Sequence, residues 1–219
     1  MRIIVQFTLL AVLFHTTPYL TFAADAGNSQ TLAAVPLFNG KDFTGWKLFV
    51  PDPAVDPATV WSVKDGVIHC TGTPHGYFRT TQKYGNYRLT LEWRWVKQGG
   101  NSGVLLHIQD KDEVWPTSFE AQLMHENAGD IWVIGGAEFN EHRGNVDRRV
   151  PKKHPTSEKP LGEWNEYEIV CKGDTLKLWV NGVLQNEGTG LNFTQGYIGF
   201  QSEGAPIEFR NIVLQPLEE

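Results

Sequence analysis

Leu89-Thr90-Leu91-Glu92-Trp93-Arg94-Trp95 alternates apolar and polar residues without a break. Successive side chains of a strand point to opposite faces. Leu89, Leu91, Trp93 and Trp95 therefore share one side, and Thr90, Glu92 and Arg94 the other. Similar short runs recur along the chain, predicting strands at 60–64, 66–71, 77–81, 86–96, 103–109, 118–124, 131–134, 164–172, 174–181, 196–201 and 206–214. Asp65-Gly66, Gly173-Asp174 and Asn181-Gly182 each lie between two such runs, where hairpin turns belong. Short alternating runs divided by Gly, Asn, Asp and Pro predict an all-β sandwich or barrel. The stretch 135–145 is expected to be loop, and 144–163, with Pro151, Pro155 and Pro160, a long surface loop. Loops of that length often border functional sites.

Two further stretches repeat the alternation. Phe119, Ala121 and Leu123 oppose Glu120, Gln122 and Met124; Val104, Leu106 and Ile108 oppose Leu105, His107 and Gln109. If the three strands are neighbours in one sheet, Glu92, Arg94, His107, Gln109, Glu120 and Gln122 make a continuous polar patch. The same pattern also describes the solvated side of any antiparallel sheet. Trp93 and Trp95 are expected in the core, as are Trp61 and Trp179. Trp115 and Trp132, beside the candidate segments, are better placed to offer an exposed ring to a ligand.

Residues 1–23 carry Arg2, an apolar run over 3–14 and small residues near Ala23. This is the pattern of a secretory signal peptide, with an apolar run too short for a bilayer span of about 20 residues. Export to the periplasm or medium is therefore expected, with 24–34 as a flexible leader and 35–217 as one domain. The formal charge of −6 argues against nucleic acid, whose phosphates call for a basic surface. Cys70 and Cys171 exclude a cysteine-based metal cluster; whether they are bridged or separate buried thiols is left open. No cofactor motif is present. Oxygen ligands in the loops bearing His125, Glu126 and Asp130, or His142, Asp147 and His154, would suit a divalent cation such as calcium.

Several segments occur in a specific order: Leu37-Phe38-Asn39-Gly40-Lys41 with Gly45-Trp46, Trp61-Ser62-Val63-Lys64-Asp65-Gly66, Gly100-Asn101-Ser102-Gly103-Val104 and Phe119-Glu120-Ala121-Gln122. Gly162-Glu163-Trp164-Asn165, Trp179-Val180-Asn181-Gly182 and Gly196-Tyr197-Ile198-Gly199-Phe200-Gln201-Ser202-Glu203-Gly204 follow, then Ile207-Glu208-Phe209-Arg210-Asn211-Ile212. Together they resemble the 3-keto-disaccharide hydrolase family over almost all of the expected mature chain. The resemblance implies a concanavalin-like jelly-roll sandwich of two curved antiparallel sheets. It also implies a carbohydrate substrate, a glycoside oxidised to a ketone at C3, cleaved by hydrolysis or by 1,2-elimination with hydration of the glucal.

That chemistry needs a base for the acidified C2 proton, an acid for the departing oxygen and a positive or hydrogen-bonding group at the ketone. On this basis Glu120 is expected as general base and His107 as acid or metal ligand. Asn101, Gln122, Gln109 and Trp132 would contact the sugar, and Arg94, oriented by Glu92, would stabilise negative charge. Two other readings compete: a non-catalytic carbohydrate-binding module, and an ordinary retaining glycosidase. The latter needs two carboxyl groups roughly 5 Å apart, whereas the neighbour of Glu120 on its own strand face is the amide Gln122.

Overall fold

The computed structural model describes residues 32–218; the expected signal peptide and the leader as far as residue 31 lie outside them. Fifteen strands build two antiparallel sheets. Sheet A takes β1 (Val35–Pro36), β3 (Trp61–Lys64), β4 (Val67–Cys70), β6 (Tyr87–Trp95), β11 (Asn165–Lys172), β12 (Thr175–Val180), β13 (Val183–Gly188) and β15 (Ile207–Pro216). Its order is β13-β12-β11-β6-β15-β4-β3, with β1 also pairing β15. Sheet B takes β2 (Trp46–Phe49), β5 (Gly76–Thr80), β7 (Gly103–Ile108), β8 (Ser118–Gln122), β9 (Ile131–Ile134), β10 (Arg149–Val150) and β14 (Tyr197–Ser202), ordered β10-β9-β8-β7-β14-β5-β2. The fold is a concanavalin-like jelly-roll sandwich. No helix among the described residues is long and apolar enough to cross a membrane.

Alternation builds the core as expected. Leu89, Leu91, Trp93 and Trp95 of sheet A face Val104, Leu106, Phe119 and Ala121 of sheet B in one buried cluster. Phe78, stacked on Phe200 at 4.9 Å between centroids, fills its centre with Phe209. At Asp65-Gly66 and Asn181-Gly182 both residues have positive φ, the type I′ requirement that makes these pairs tight hairpins. Four strands escaped the pattern: β1, β2 and β10 are two to four residues long, and β13 is the return arm of the Asn181-Gly182 hairpin. Trp179, expected in the core, is half-buried because it alternates with the core residues Leu178 and Val180.

Cys70 and Cys171 are separate buried thiols. They sit on β4 and β11, three strand spacings apart in one sheet, or about 14 Å, well beyond the reach of a disulfide.

Candidate active site

The polar patch expected on one sheet is divided between two. Strand β6 belongs to sheet A, whereas β7 and β8 lie side by side in sheet B. Alternation correctly assigned the polar side of each strand, but it carries no information about which sheet a strand joins. Glu92 and Arg94 therefore do not meet Glu120. Glu92 accepts from Arg210 Nε at 2.7 Å and from Asn211 Nδ2 at 2.7 Å. Arg94 donates to Glu208 at 2.6 Å, and Glu208 also meets His69 at 2.9 Å. The guanidinium groups of Arg94 and Arg210 lie over the ring of Trp164, at 4.6 and 4.0 Å. This is a closed surface network.

His107 is also displaced, for a different reason. Against β14, β7 pairs Leu105 with Gly199 but Ile108 with Tyr197, so it carries an extra residue. His107 takes up that bulge at φ +55°, and a bulge reverses the alternation beyond it. The imidazole turns inward, edge-on to Tyr87 and Phe119, with Nδ1 2.8 Å from the Phe193 carbonyl. Burial lowers its pKa. Gly196 backs the bulge: a Cβ there would lie 2.3 Å from the His107 backbone. Gln109 braces the same bulge, donating to the carbonyls of His107 and Gln195 at 2.8 and 3.1 Å. Neither residue reaches the Glu120 pocket.

That pocket opens on the outer face of sheet B, with a volume of about 160 Å3. Asn101, Trp115, Glu120, Gln122, Trp132, Arg148 and Glu203 line it. Four of the expected site residues thus come together: Asn101, Glu120, Gln122 and Trp132, with Trp115 at the rim. Glu120 faces outward because its neighbours Phe119 and Ala121 face the core, and Trp132 is its register partner on β9. Gln122 Oε1 accepts from the N–H groups of Leu123 and Met124 at 2.9 Å each, shaping the end of β8. Asn101, just before β7, bridges to Glu203 and Gly204.

Two loops complete the walls. The segment between β7 and β8 folds over sheet B and is clasped through Asp112, which accepts from Tyr77 Oη and Arg79 Nε at 2.9 Å each and pairs with Lys47. Burial works to raise the Asp112 pKa, but Arg79, Lys47 and Tyr77 hold it at about 2. The clasp brings Trp115, 41 % exposed, to the rim beside His75. On the other side, Asp130 accepts from Arg149 Nε and Lys152 N at 2.7 Å each, fixing the segment that presents Arg148.

Glu203 and Arg148 are the lining residues that the strand pattern missed. Both lie just beyond strand ends, where alternation carries no signal. Glu203 stood within a quoted segment, but only the fold brings it to Glu120. Glu120 is 5 % exposed, and burial, aided by the charge of Glu203 and opposed by Arg148, raises its pKa to about 8. Burial raises Glu203 to about 7 against the pull of Asn101. Glu120 Oε1, Glu203 Oε2, Asn101 Oδ1 and Trp132 Nε1 are buried without a hydrogen-bond partner. In a native fold such atoms call for an explanation.

A larger recess of about 580 Å3 lies against sheet A, but its one carboxylate, Glu208, is committed to Arg94 and His69. No group of three or more His, Cys, Asp or Glu among the described residues is disposed to hold a metal. In the loops considered for a cation, Asp130 is bound by Arg149 and Lys152, and His142 by Glu138 and the Asp147 carbonyl.

The chain is 26% identical to a 3-keto-disaccharide hydrolase of Bacteroides thetaiotaomicron, over 84% of this chain and 78% of that protein. Among solved structures it is similar to a protein of Parabacteroides distasonis described as a glycosyl hydrolase: TM-score 0.63, 26% identity, covering 84% of this chain and 94% of the other. A Bacillus licheniformis β-glucanase shares the fold at TM-score 0.57 and 14% identity, over 87% of this chain and all of the other. Residues 33–215 match the family model of the 3-keto-alpha-glucoside-1,2-lyase-like domain, and the chain belongs to that family.

Proposed function

We propose that this protein is an exported carbohydrate-active enzyme that cleaves 3-keto-glycosides with Glu203 and Glu120 as its proton-transfer groups. The reading rests above all on two carboxyl groups, Glu120 buried and Glu203 half-buried, with pKa values raised to about 8 and about 7, that line one pocket walled by indole rings. Near neutrality such a pair carries roughly one proton between them, so an acid and a base stand ready together. Glu120, the more weakly acidic, holds the proton. Glu203, the more readily ionised, acts as the base.

The C3 ketone acidifies C2. Glu203 takes the C2 proton and the electron pair forms an enolate, whose charge falls to Arg148. As the C1–O bond breaks, Glu120 gives its proton to the departing oxygen, leaving a 3-keto-2-hydroxyglucal. Addition of water across the new double bond returns a 3-keto sugar, and the net reaction is hydrolysis. Trp132 and Trp115 supply flat apolar surface for the sugar ring, and Asn101 and Gln122 supply amides for its hydroxyls. Relative to the expectation from sequence, Glu120 moves from base to acid, and Glu203 and Arg148 replace His107 and Arg94.

A 3-keto sugar with no substituent at C1 cannot eliminate, so exchange of its C2 hydrogen in D2O isolates the first step. NMR should show exchange with the wild type and with Glu120→Gln, and none with Glu203→Gln. Exchange lost in Glu120→Gln but kept in Glu203→Gln would reverse the two roles. Binding with no exchange by the wild type would leave a sugar-binding module in place of an enzyme.

A further inference from the structure

A buried residue outside the pocket lining bears on how Glu120 is held. Gln201, on β14, is 1 % exposed, and neither its Oε1 nor its Nε2 has a partner. A buried amide left with both ends unsatisfied is costly. Strand β7 separates β14 from β8, and side chains two strands apart do not normally meet. Here the residue between them is glycine, which leaves a slot that both side chains border. The pairing of Phe200 with Val104 sets Gln201 across from Gly103. A Cβ built on Gly103 would lie 2.3 Å from Glu120 Oε1 and 2.6 Å from Gln201 Oε1. Both oxygens therefore crowd the space that any other residue at 103 would fill. Ser102 Oγ donates to the Gln201 carbonyl at 2.9 Å, locking the two strands together at this point.

Both oxygens border one slot and neither has a partner, so a proton shared between them would satisfy both. We infer that Gln201 is a positioning residue for Glu120: its Oε1 accepts the Glu120 O–H through the slot left by Gly103, holding the carboxyl as the acid and fixing its orientation. The inference rests on the proton-transfer role proposed for Glu120. Glu203 and Arg148, the other charged groups acting on this carboxyl, tune its charge, whereas Gln201 is neutral and acts through geometry. Gly103 lacks a positive φ, so a side chain there is excluded by occupied space and not by backbone strain.

Infrared spectroscopy at pH 6 tests this without a substrate. The difference between wild type and Glu120→Gln isolates the C=O stretch of protonated Glu120. In Gln201→Leu the O–H loses its acceptor, and the band should move to higher frequency. Gly103→Ala leaves Gln201 intact but pushes the carboxyl away, and should shift the band in the same direction, which keeps the test open should Gln201→Leu fail to fold. In turnover of a 3-keto-glucoside, Gln201→Leu should lose kcat by about 10²-fold with KM little changed, the scale of a misplaced proton donor. A band unmoved in whichever of the two variants folds overturns the inference. A shifted band in a protein that cleaves no keto sugar would instead reject the proposed reaction and leave the Gln201–Glu120 contact standing.

Discussion

The outer faces of the two sheets read alike in sequence and differ in what they do with their charges. On sheet A, Glu92, Arg94, Glu208 and Arg210 pair with one another, and the two arginines cover Trp164. Every charge has a partner, and solvent reaches the network. On sheet B, Glu120, Glu203 and Gln201 lie under loops with atoms left unpaired. Burial holds both carboxyl groups there towards the protonated form, and the charge of Glu203 adds to the effect on Glu120. Polar residues on a strand face do not by themselves distinguish a solvated surface from a reaction centre. The distinguishing feature is polarity that is buried and left unsatisfied, which costs stability and is retained where chemistry needs it.

The sharpest way to break this contrast is to neutralise one residue on each face. Glu120→Gln should lower turnover of a 3-keto-glucoside by about 10²–10⁴-fold, the usual contribution of a positioned proton donor. The same variant makes a stability prediction of opposite sign. Because the folded protein raises the Glu120 pKa from 4.5 to about 8, ionising it costs stability. That cost is absent below about pH 4.5, grows as pH rises and is complete above about pH 8. Glu120→Gln should therefore match the wild type in thermal denaturation at pH 4.5 and exceed it at pH 9, by at most on the order of 5 kcal/mol.

Next in size, Arg148→Gln removes the cation assigned to the enolate. Its kcat should fall about 10²-fold, with circular dichroism and melting unchanged. Asp112→Asn loosens the clasp beneath Trp115. KM should rise a few fold, and stability should fall by about 1 kcal/mol in denaturant titration. With the Asp112 pKa held at about 2 against 3.8, the clasp is fully stabilising above about pH 4 and is lost as pH falls towards 2. Smallest of all, Glu92→Gln should cost no more than about 1 kcal/mol and leave kcat/KM where it was. A large loss of activity there would mean that the two faces are not functionally distinct.

Much of the sandwich was legible because its strands alternate, and Glu120, Gln122, Asn101 and Trp132 were legible because they sit on or beside strands that happen to be neighbours. The failures have separate physical causes. Glu92 and Arg94 were misplaced because the chain crosses from sheet A to sheet B between β6 and β7, and period-two patterning is silent on that crossing. His107 was misplaced because one extra residue in β7 turns the strand over, and the sequence Leu105-Leu106-His107-Ile108 looks regular without it. Glu203 and Arg148 lie beyond strand ends, brought in by contacts distant in sequence. Gln201 was visible only as part of a family-like segment; its relation to Glu120 depends on Gly103 standing between them, a fact of register.

The measurement that bears most directly on the whole account is release of nitrophenol from a 4-nitrophenyl 3-keto-glucoside by wild type, Glu120→Gln and Glu92→Gln, followed by absorbance under identical conditions. The account predicts release by the wild type and Glu92→Gln at similar rates, and near-background release by Glu120→Gln. Wild-type rates from Glu120→Gln would contradict it outright, because the pocket on sheet B would then hold no acid that the reaction needs.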